Sequence, residues 1–284
     1  MFNRGAITSM SLSSNGRHAP AALDRQTQAE ARKRARIAGI FFVITFISIA
    51  ALPLYSSVLN HHGFIVGTGG DARVQLGAVV EIITAIAGIG TAVALYPILR
   101  RQSESLALGY VALRVVESVL IAVGIVSLLA VLTLRHDLAG GGTDHASLLL
   151  TGRSLVAVHD ATFLLGPAFC AGIGNGLILG YLMLRSGLVP RRFAQFGVVA
   201  GSLALLTAVL VLFGAYKQVS GTSGVLTFPE AAWELSLGIY LIAKGFRPEA
   251  LLSARGRGDA GPADGRAFNL GQAPTPHGAA VARV

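Results

Sequence analysis

Six long apolar runs, separated by short polar segments, dominate the hydrophobic pattern of the chain. Each run covers about 18 to 28 residues, and about 20 apolar residues suffice to cross the hydrocarbon core of a bilayer as a helix. The pattern therefore predicts an all-α protein, a polytopic bundle of about six transmembrane helices. The predicted spans lie near 37–59, 74–99, 107–134, 158–184, 196–216 and 229–246.

The segments outside the apolar runs differ in composition and define the predicted domain organisation. Residues 37–247 form the membrane domain. Residues 24–36 are good helix formers that end in a basic cluster, which predicts a juxtamembrane helix. Residues 1–23 and 248–284 are rich in Gly, Ala and polar residues without an apolar period, so both are predicted to be disordered cytoplasmic tails.

The composition excludes an ordinary soluble domain. Hydrophobic residues make up 53% of the chain, charged residues only 13%, and the mean hydropathy is +0.64. Soluble domains carry roughly 25% charged residues. The surface of a soluble protein of this length would need more charged residues than this sequence provides. The protein is therefore expected to lie in a lipid bilayer.

The net charge of +9 has a distribution that indicates membrane topology and argues against nucleic-acid binding. Seven Lys and Arg residues precede the first span, two lie in the second connection, three in the fourth, and six follow from the end of the last span, which makes 18 of the 23. Only four lie in the connections on the other side. Excess basic charge marks cytoplasmic segments, so both termini are predicted to be cytoplasmic.

A basic cluster lies directly before the first span. Its simplest interpretation is a cytoplasmic anchor for that span, and the alternative is a site for anionic lipid. The residues concerned are Arg32, Lys33, Arg34 and Arg36.

The third span contains a cation and an anion, Arg114 and Glu117, three residues apart. Residues at this spacing lie on the same face of a helix and can pair. Charges inside a membrane helix are costly, and they normally face protein or water. The pair therefore predicts that this face is sheltered by the other helices.

Further polar residues in the spans suggest a buried polar network or a cavity. Glu81, His159, Asp160 and Glu234 come from three spans at similar depth, so they are predicted to converge. One interpretation is an interhelical network that fixes a structural or partner-binding bundle. The alternative is a transporter or sensor that takes up a small molecule, ion or proton in a polar cavity between spans 2, 3, 4 and 6. The candidate set is Glu81, Arg114, Glu117, His159, Asp160 and Glu234.

Small residues and prolines predict local features of two spans. Gly172 and Gly176 have the small-xxx-small spacing of a close helix crossing. Pro167, a few residues earlier, predicts a kink or local unwinding. The sixth helix is predicted to begin at Pro229 with Glu230 beside it, because proline and an acid are common in a first helical turn.

No motif in the chain indicates an enzyme, a metal site or a cofactor site. Gly-x-Ser-x-Gly and His-Glu-x-x-His do not occur. His159 and Asp160 are adjacent, so their side chains point about 100° apart on a helix and do not form a catalytic dyad. His61 and His62 alone are a weak metal signal, since no further ligand stands at a useful spacing.

Several segments together resemble one bacterial family, the one known as domain of unknown function 4386. The turn after the fourth span and the Arg-x-x-Glu segment are its most specific parts. The resemblance covers about residues 33–247, and it implies an integral protein of the bacterial cytoplasmic membrane with about six helices. It implies no activity, substrate or cofactor. The segments that carry it are Arg36–Gly39, Leu113–Glu117, His159–Asp160 with Leu164–Gly166, Gly180–Pro190 and Glu234–Phe246.

Overall fold

The computed structural model describes residues 19–61, 63–67, 69–139 and 145–251, and this part of the chain is helical without strands. Within these residues, six helical stretches are long and apolar enough to cross a membrane. This confirms the predicted all-α bundle of six spans. The spans are Gln28–Asn60, Asp71–Leu99, Glu104–Leu138, His145–Ser186, Arg191–Leu212 and Gly221–Ala243.

Two of the spans consist of more than one helix. The first contains two α-helices joined by a 3-10 turn, and the fourth contains two α-helices separated by two π-helical segments. Each remaining span is a single α-helix. The bounds in chain order are α1 Ala19–Thr45, 3-10 Phe46–Ala50, α2 Ala51–Asn60, α3 Asp71–Leu99, α4 Glu104–Ala139, α5 His145–Phe163, π Leu164–Cys170, π Gly172–Leu179, α6 Gly180–Ser186, α7 Arg191–Leu212 and α8 Gly221–Ala243; a short 3-10 turn, Phe64–Val66, lies between α2 and α3.

The six spans form a ring in which each packs against the span before it and the span after it. The sixth closes the ring by packing against the first. Large apolar side chains such as Ile86, Val93 and Val126 are more than half exposed on the outside of the ring. This is the surface expected of a bundle that faces lipid hydrocarbon, where outward apolar residues replace a charged surface.

Two apolar clusters fill the ring toward its two ends. At the end with the short turns 100–103 and 187–190, here called the turn end, Phe42, Leu95 and Trp233 belong to one cluster. At the end with residues 63–67, here called the loop end, Tyr55, Leu128 and their neighbours form the second. The residues between these clusters along the helices lie at middle depth, and the polar side chains of the spans are concentrated there.

The two interrupted spans both lose regular α-helical geometry at this middle depth. The first span tightens into a 3-10 turn at Phe46–Ala50, and the fourth widens into π-helix from Leu164 onward. Pro167 lies inside the first π segment and has no N–H to donate, so the regular hydrogen-bond ladder cannot continue through it. Local 3-10 and π adjustments satisfy the freed backbone groups in membrane helices.

The predicted start of the sixth helix at Pro229 is wrong. The helix α8 begins two turns earlier, at Gly221, and Pro229 lies inside it. The Ser220 side chain accepts a hydrogen bond from the backbone N–H of Ser223 at 3.2 Å and so caps the helix. A proline is tolerated within a membrane helix because neighbouring groups compensate the missing bond, and Glu230 is consequently an interior residue.

The described residues also change the predicted tail boundaries. Residues 19–23 are part of α1, and residues 248–251 form a helical turn with Ala250 and Leu251 buried. The backbone N–H of Arg247 donates to the Leu188 carbonyl at 2.9 Å, which fixes this turn to the turn end of the bundle. The remainder of the predicted tails, residues 1–18 and 252–284, lies outside the described residues, as do His62 and residues 140–144.

Candidate functional site

A cavity of about 260 Å³ lies at middle depth in the ring and is lined by residues from all six spans. The 3-10 turn of the first span and the π-helical part of the fourth both border it. Its wall is largely apolar and includes the rings of Phe46 and Phe163. Five ionisable side chains also line this central cavity: Glu81, Arg114, Glu117, Glu230 and Glu234.

Arg114 and Glu117 form an ion pair within the third span. Arg114 Nη1 lies 2.6 Å from Glu117 Oε2, and both residues are less than 10% exposed. Arg114 Nε donates to the Gly88 carbonyl of α3 at 3.3 Å. A Cβ on Gly88 would come within 2.8 Å of the guanidinium, so glycine provides the space that the arginine occupies. The pair therefore also attaches the third span to the second.

Glu234 of the sixth span is bound by an amide of the fourth. Asn175 Nδ2 donates to Glu234 Oε1 at 2.6 Å, and Asn175 is fully buried within the second π segment. Asn175 is not among the residues predicted from the sequence to form the polar set. The sequence does show an amide side chain between two glycines in an apolar run, which could have indicated a buried polar contact. Only the crossing of the two spans shows which carboxylate this amide meets.

Glu230 lies one helical turn before Glu234 and is 6% exposed. Neither of its carboxylate oxygens has a hydrogen-bond partner among the described residues. The carboxylate lies over Gly176 of the fourth span, where an added Cβ would be 2.9 Å from Oε1. Glu230 was absent from the predicted polar set because its position beside Pro229 indicated a helix terminus.

Glu81 accepts a hydrogen bond from a tyrosine at the loop end of the cavity. Tyr55 Oη donates to Glu81 Oε2 at 2.9 Å, and Tyr55 is 1% exposed. The ring of His159 meets the Tyr55 ring edge-on with centroids 5.7 Å apart, and it stacks on Phe163 at 6.1 Å. Tyr55 was not among the predicted residues, since a tyrosine in an apolar run is usually a packing residue.

Asp160 does not join Glu81 and Glu234 at the central cavity. Its side chain is 63% exposed, and its Oδ1 lies 3.5 Å from His159 Nδ1. It lines a second cavity of about 240 Å³ near the loop end, together with His61 and Arg153. Adjacent residues on a helix diverge by about 100°, so His159 turns inward and Asp160 turns toward this second cavity.

Gly172 and Gly176 both face α7 across the crossing of the fourth and fifth spans. An added Cβ on Gly172 would lie 3.3 Å from the Leu205 backbone nitrogen. An added Cβ on Gly176 would overlap the Cα of Gly201. The two backbones are therefore in direct contact at Gly176, and this contact brings the fourth span close to Glu230.

Within residues 19–61, 63–67, 69–139 and 145–251, no group of three or more His, Cys, Asp or Glu side chains is arranged to hold a metal ion. The carboxylates of the central cavity are spread over its wall. Among the described residues that line it, Arg114 is the only Lys or Arg. Chemically the cavity combines an apolar wall with an excess of acidic groups.

Comparison with known proteins identifies a family and nothing more specific. A search of the curated proteins and a search of the solved structures each found no match. The model of one family matches residues 37–245, which is most of the chain and all six spans except residues 28–36 of the first. The chain belongs to this family, Domain of unknown function (DUF4386).

Proposed function

We propose that this integral membrane protein is a transporter that binds a small organic cation in the central cavity. The observation that carries the proposal is Glu230, a buried carboxylate that lines the cavity without a partner for either oxygen among the described residues. A buried carboxylate without a compensating hydrogen bond or charge is costly, and the cost is greater at membrane depth.

The balance of charge in the cavity supports a cationic occupant. Four carboxyl groups line it against one guanidinium, and that guanidinium is already paired with Glu117. Glu234 has the Asn175 amide, which is neutral. A cation placed near Glu230 and Glu234 would supply the missing positive charge, and ionisable groups inside membrane proteins often mark such binding sites.

The wall of the cavity favours an organic cation over a metal ion. Metal cations such as Ca²⁺ require six to eight oxygen ligands at close range, and no such set converges among the described residues. The wall instead contains the rings of Phe46 and Phe163 with Ile49 and Ile121. Aromatic faces attract organic cations, and apolar pockets with a few polar groups are typical of small-molecule sites.

The interrupted spans favour transport. Discontinuous helices at middle depth commonly build the substrate sites of secondary transporters, and here a 3-10 turn and a π-helical stretch border the cavity. The first and fourth spans hold the same place in the two three-span halves of the chain. Irregular helices at matching positions of two halves are a feature of such transporters.

The proposal predicts that Glu230→Gln weakens binding of benzyltrimethylammonium by roughly thirtyfold. Removing one partner of a buried charge pair costs about 2 kcal/mol or more, and 1.4 kcal/mol is a factor of ten in affinity. Calorimetry on the purified protein in detergent measures the affinity. Exposed Glu104 offers a matched control, because Glu104→Gln removes a carboxylate of the same kind far from the cavity.

The neutral hydrocarbon neopentylbenzene has the shape of the probe without its charge. The proposal requires that wild type bind the ammonium ion and not this analogue, and that proteoliposomes exchange the ammonium ion across the membrane. Equal affinity of wild type and Glu230→Gln, or equal binding of the two probes, would show that the carboxylate does not recognise a cation.

A second candidate function is a structural or partner-binding bundle held together by its polar groups. The bonds of Arg114 with Glu117 and of Asn175 with Glu234 favour it, because each joins two buried polar groups within the protein. Under this function the protein would bind neither probe, and Glu230→Gln would change only its stability. The binding measurement therefore separates the two candidates.

We also infer that the protein resides in the bacterial cytoplasmic membrane with both termini in the cytoplasm. Support comes from the 18 of 23 Lys and Arg residues that belong to the tails and to the connections at the turn end. Excess basic charge is retained on the cytoplasmic side of membrane proteins.

We further propose that the basic cluster before the first span contacts anionic lipid. Arg32, Lys33 and Arg36 are exposed and Arg34 is half-buried. Since each basic residue near an anionic surface contributes about 1 kcal/mol, replacing the three exposed residues with Gln is expected to weaken phosphatidylglycerol binding by roughly a hundredfold. Lipid titration of the purified protein measures this. Arg73→Gln, at the loop end, is the control, and unchanged affinity of the triple variant would contradict the proposal.

A further inference from the structure

The first and sixth spans touch near the turn end, and the central cavity lies beside this contact. An added Cβ on Gly39 of α1 would lie 2.5 Å from the carbonyl oxygen of Gly238 on α8, so the two backbones are in direct contact there. Glu234 and Glu230 precede Gly238 at four-residue spacing, which places them on the same face of α8. Both line the central cavity. The face of α8 that closes the ring near the turn end thus faces the cavity at middle depth.

The first span changes its neighbour at the 3-10 turn. Its helix α1 packs extensively against α8, whereas the 3-10 turn and α2 have their main contacts outside their own span with α3. Three residues of the 3-10 turn, Phe46, Ser48 and Ile49, line the central cavity from the first span. Thr227 and Ala231 line it from α8. The cavity therefore occupies the space between these two spans where their packing ends.

The central cavity reaches the outside of the ring at Ile49. Among the described residues that line the cavity, Ile49 alone is exposed, at 61%, and the others are buried or half-buried. On α8, Phe228 follows the lining residue Thr227 and is 68% exposed. Both exposed side chains lie within membrane spans, where the outer surface of the bundle faces hydrocarbon. Ile49 and Phe228 thus border an opening from the cavity toward the lipid, here called the side opening.

We propose that the side opening admits amphiphilic cations from the bilayer, and that the ligand is an ammonium ion with one long apolar chain. The proposal rests on the proposed function and narrows its substrate class. The ammonium group lies in the central cavity beside Glu230. The chain passes between Ile49 and Phe228 and ends in the hydrocarbon around the protein.

The size and the chemistry of the cavity support a ligand that is only partly enclosed. Its volume of about 260 Å³ lies below the range of about 300 to 1,000 Å³ in which pockets enclose drug-sized ligands. A compact ammonium group needs less space than a whole ligand with a long chain. Hydrocarbon surroundings favour the chain and disfavour the charge. An amphiphilic cation therefore matches both the acidic groups inside the cavity and the apolar residues at its side opening.

The first test uses octyltrimethylammonium and the full-length protein in lipid nanodiscs, with calorimetry as the measurement. Ile49→Trp is expected to weaken binding at least tenfold, because the larger indole side chain fills the side opening. Ile86→Trp is the matched control, since Ile86 is 62% exposed on the second span and does not line the cavity. Its affinity should stay within twofold of wild type. Partition of the probe into lipid is the same for both variants, so it does not affect the comparison.

The second test uses wild-type protein and an octyltrimethylammonium ion that carries a photoreactive diazirine at the end of its chain. Mass spectrometry locates the adducts, and those that an excess of benzyltrimethylammonium removes belong to the cation site. The proposal requires such adducts at Ile49 and Phe228 and on lipid. Because this measurement needs no variant, it does not depend on how well Ile49→Trp folds.

The outcomes separate the side opening from the cation site. Wild-type affinity of Ile49→Trp for octyltrimethylammonium would overturn the side opening and leave the cation site standing. Competed adducts at Val131 and Val156 of the second cavity would do the same, because the chain would then point toward the loop end. A wild-type protein that binds neither octyltrimethylammonium nor benzyltrimethylammonium would overturn the proposed function and the side opening with it.

Discussion

Replacing Arg114 with Met is expected to lower the free energy of unfolding by about 3 to 5 kcal/mol. The guanidinium is paired with Glu117 at 2.6 Å and bonded to the Gly88 carbonyl, and all of these groups are buried. Removing one partner of a buried pair leaves an uncompensated charge, which costs about this much. Equilibrium unfolding in mixed detergent and dodecyl sulfate micelles measures the change.

The double variant Arg114→Met with Glu117→Leu provides the decisive comparison. Replacing a buried ion pair by apolar residues of similar volume is often close to neutral, so most of the lost stability is expected to return. Exposed Arg101 supplies the control substitution, Arg101→Met, with a change below about 0.5 kcal/mol. If Arg114→Met were as stable as wild type, the ion pair would not contribute to holding the bundle together. If the double variant were no more stable than the single one, the loss in Arg114→Met would not come from the unpaired charge of Glu117.

Gly176→Ala is expected to destabilise the bundle by about 3 kcal/mol, the upper end of the usual cost of overpacking. The new methyl group would overlap the Cα of Gly201 on α7 and would lie 2.9 Å and 3.0 Å from the two oxygens of Glu230. Neither backbone can move without opening the crossing of the fourth and fifth spans. Binding of benzyltrimethylammonium should weaken as well, because Glu230 would be displaced.

Gly174→Ala is the matched control for this substitution. Gly174 lies two residues away in the same π segment, and an added Cβ would meet the Leu113 side chain at an ordinary contact distance of 3.4 Å. Its effect on stability is expected to stay below about 1 kcal/mol, since alanine favours helix over glycine. The same unfolding and binding measurements apply. If the two substitutions had equal effects, the contact with Gly201 would not be the reason why position 176 excludes a larger residue than glycine.

The spans and the composition of the middle layer could be predicted from the sequence because both follow from local rules. A membrane helix must satisfy its own backbone and be apolar for about 20 residues, and these requirements appear as an unbroken hydrophobic run. The spacing of Arg114 and Glu117 likewise has a local consequence, since residues three apart share a helix face. The helix start at Pro229 was mispredicted because a proline fits the first turn of a helix and is also tolerated inside a membrane helix. The local sequence does not distinguish these two positions.

Only the tertiary structure decided which polar groups have partners. Asn175 meets Glu234 because the fourth and sixth spans approach each other, and Glu230, which has no partner among the described residues, faces the backbone at Gly176. These relations depend on the order of spans in the ring and on the rotation of each helix about its axis. Both are set by packing between helices distant in sequence, so no single segment of the chain contains the information that Glu230 finds no hydrogen-bond partner within the part of the chain that the structure describes.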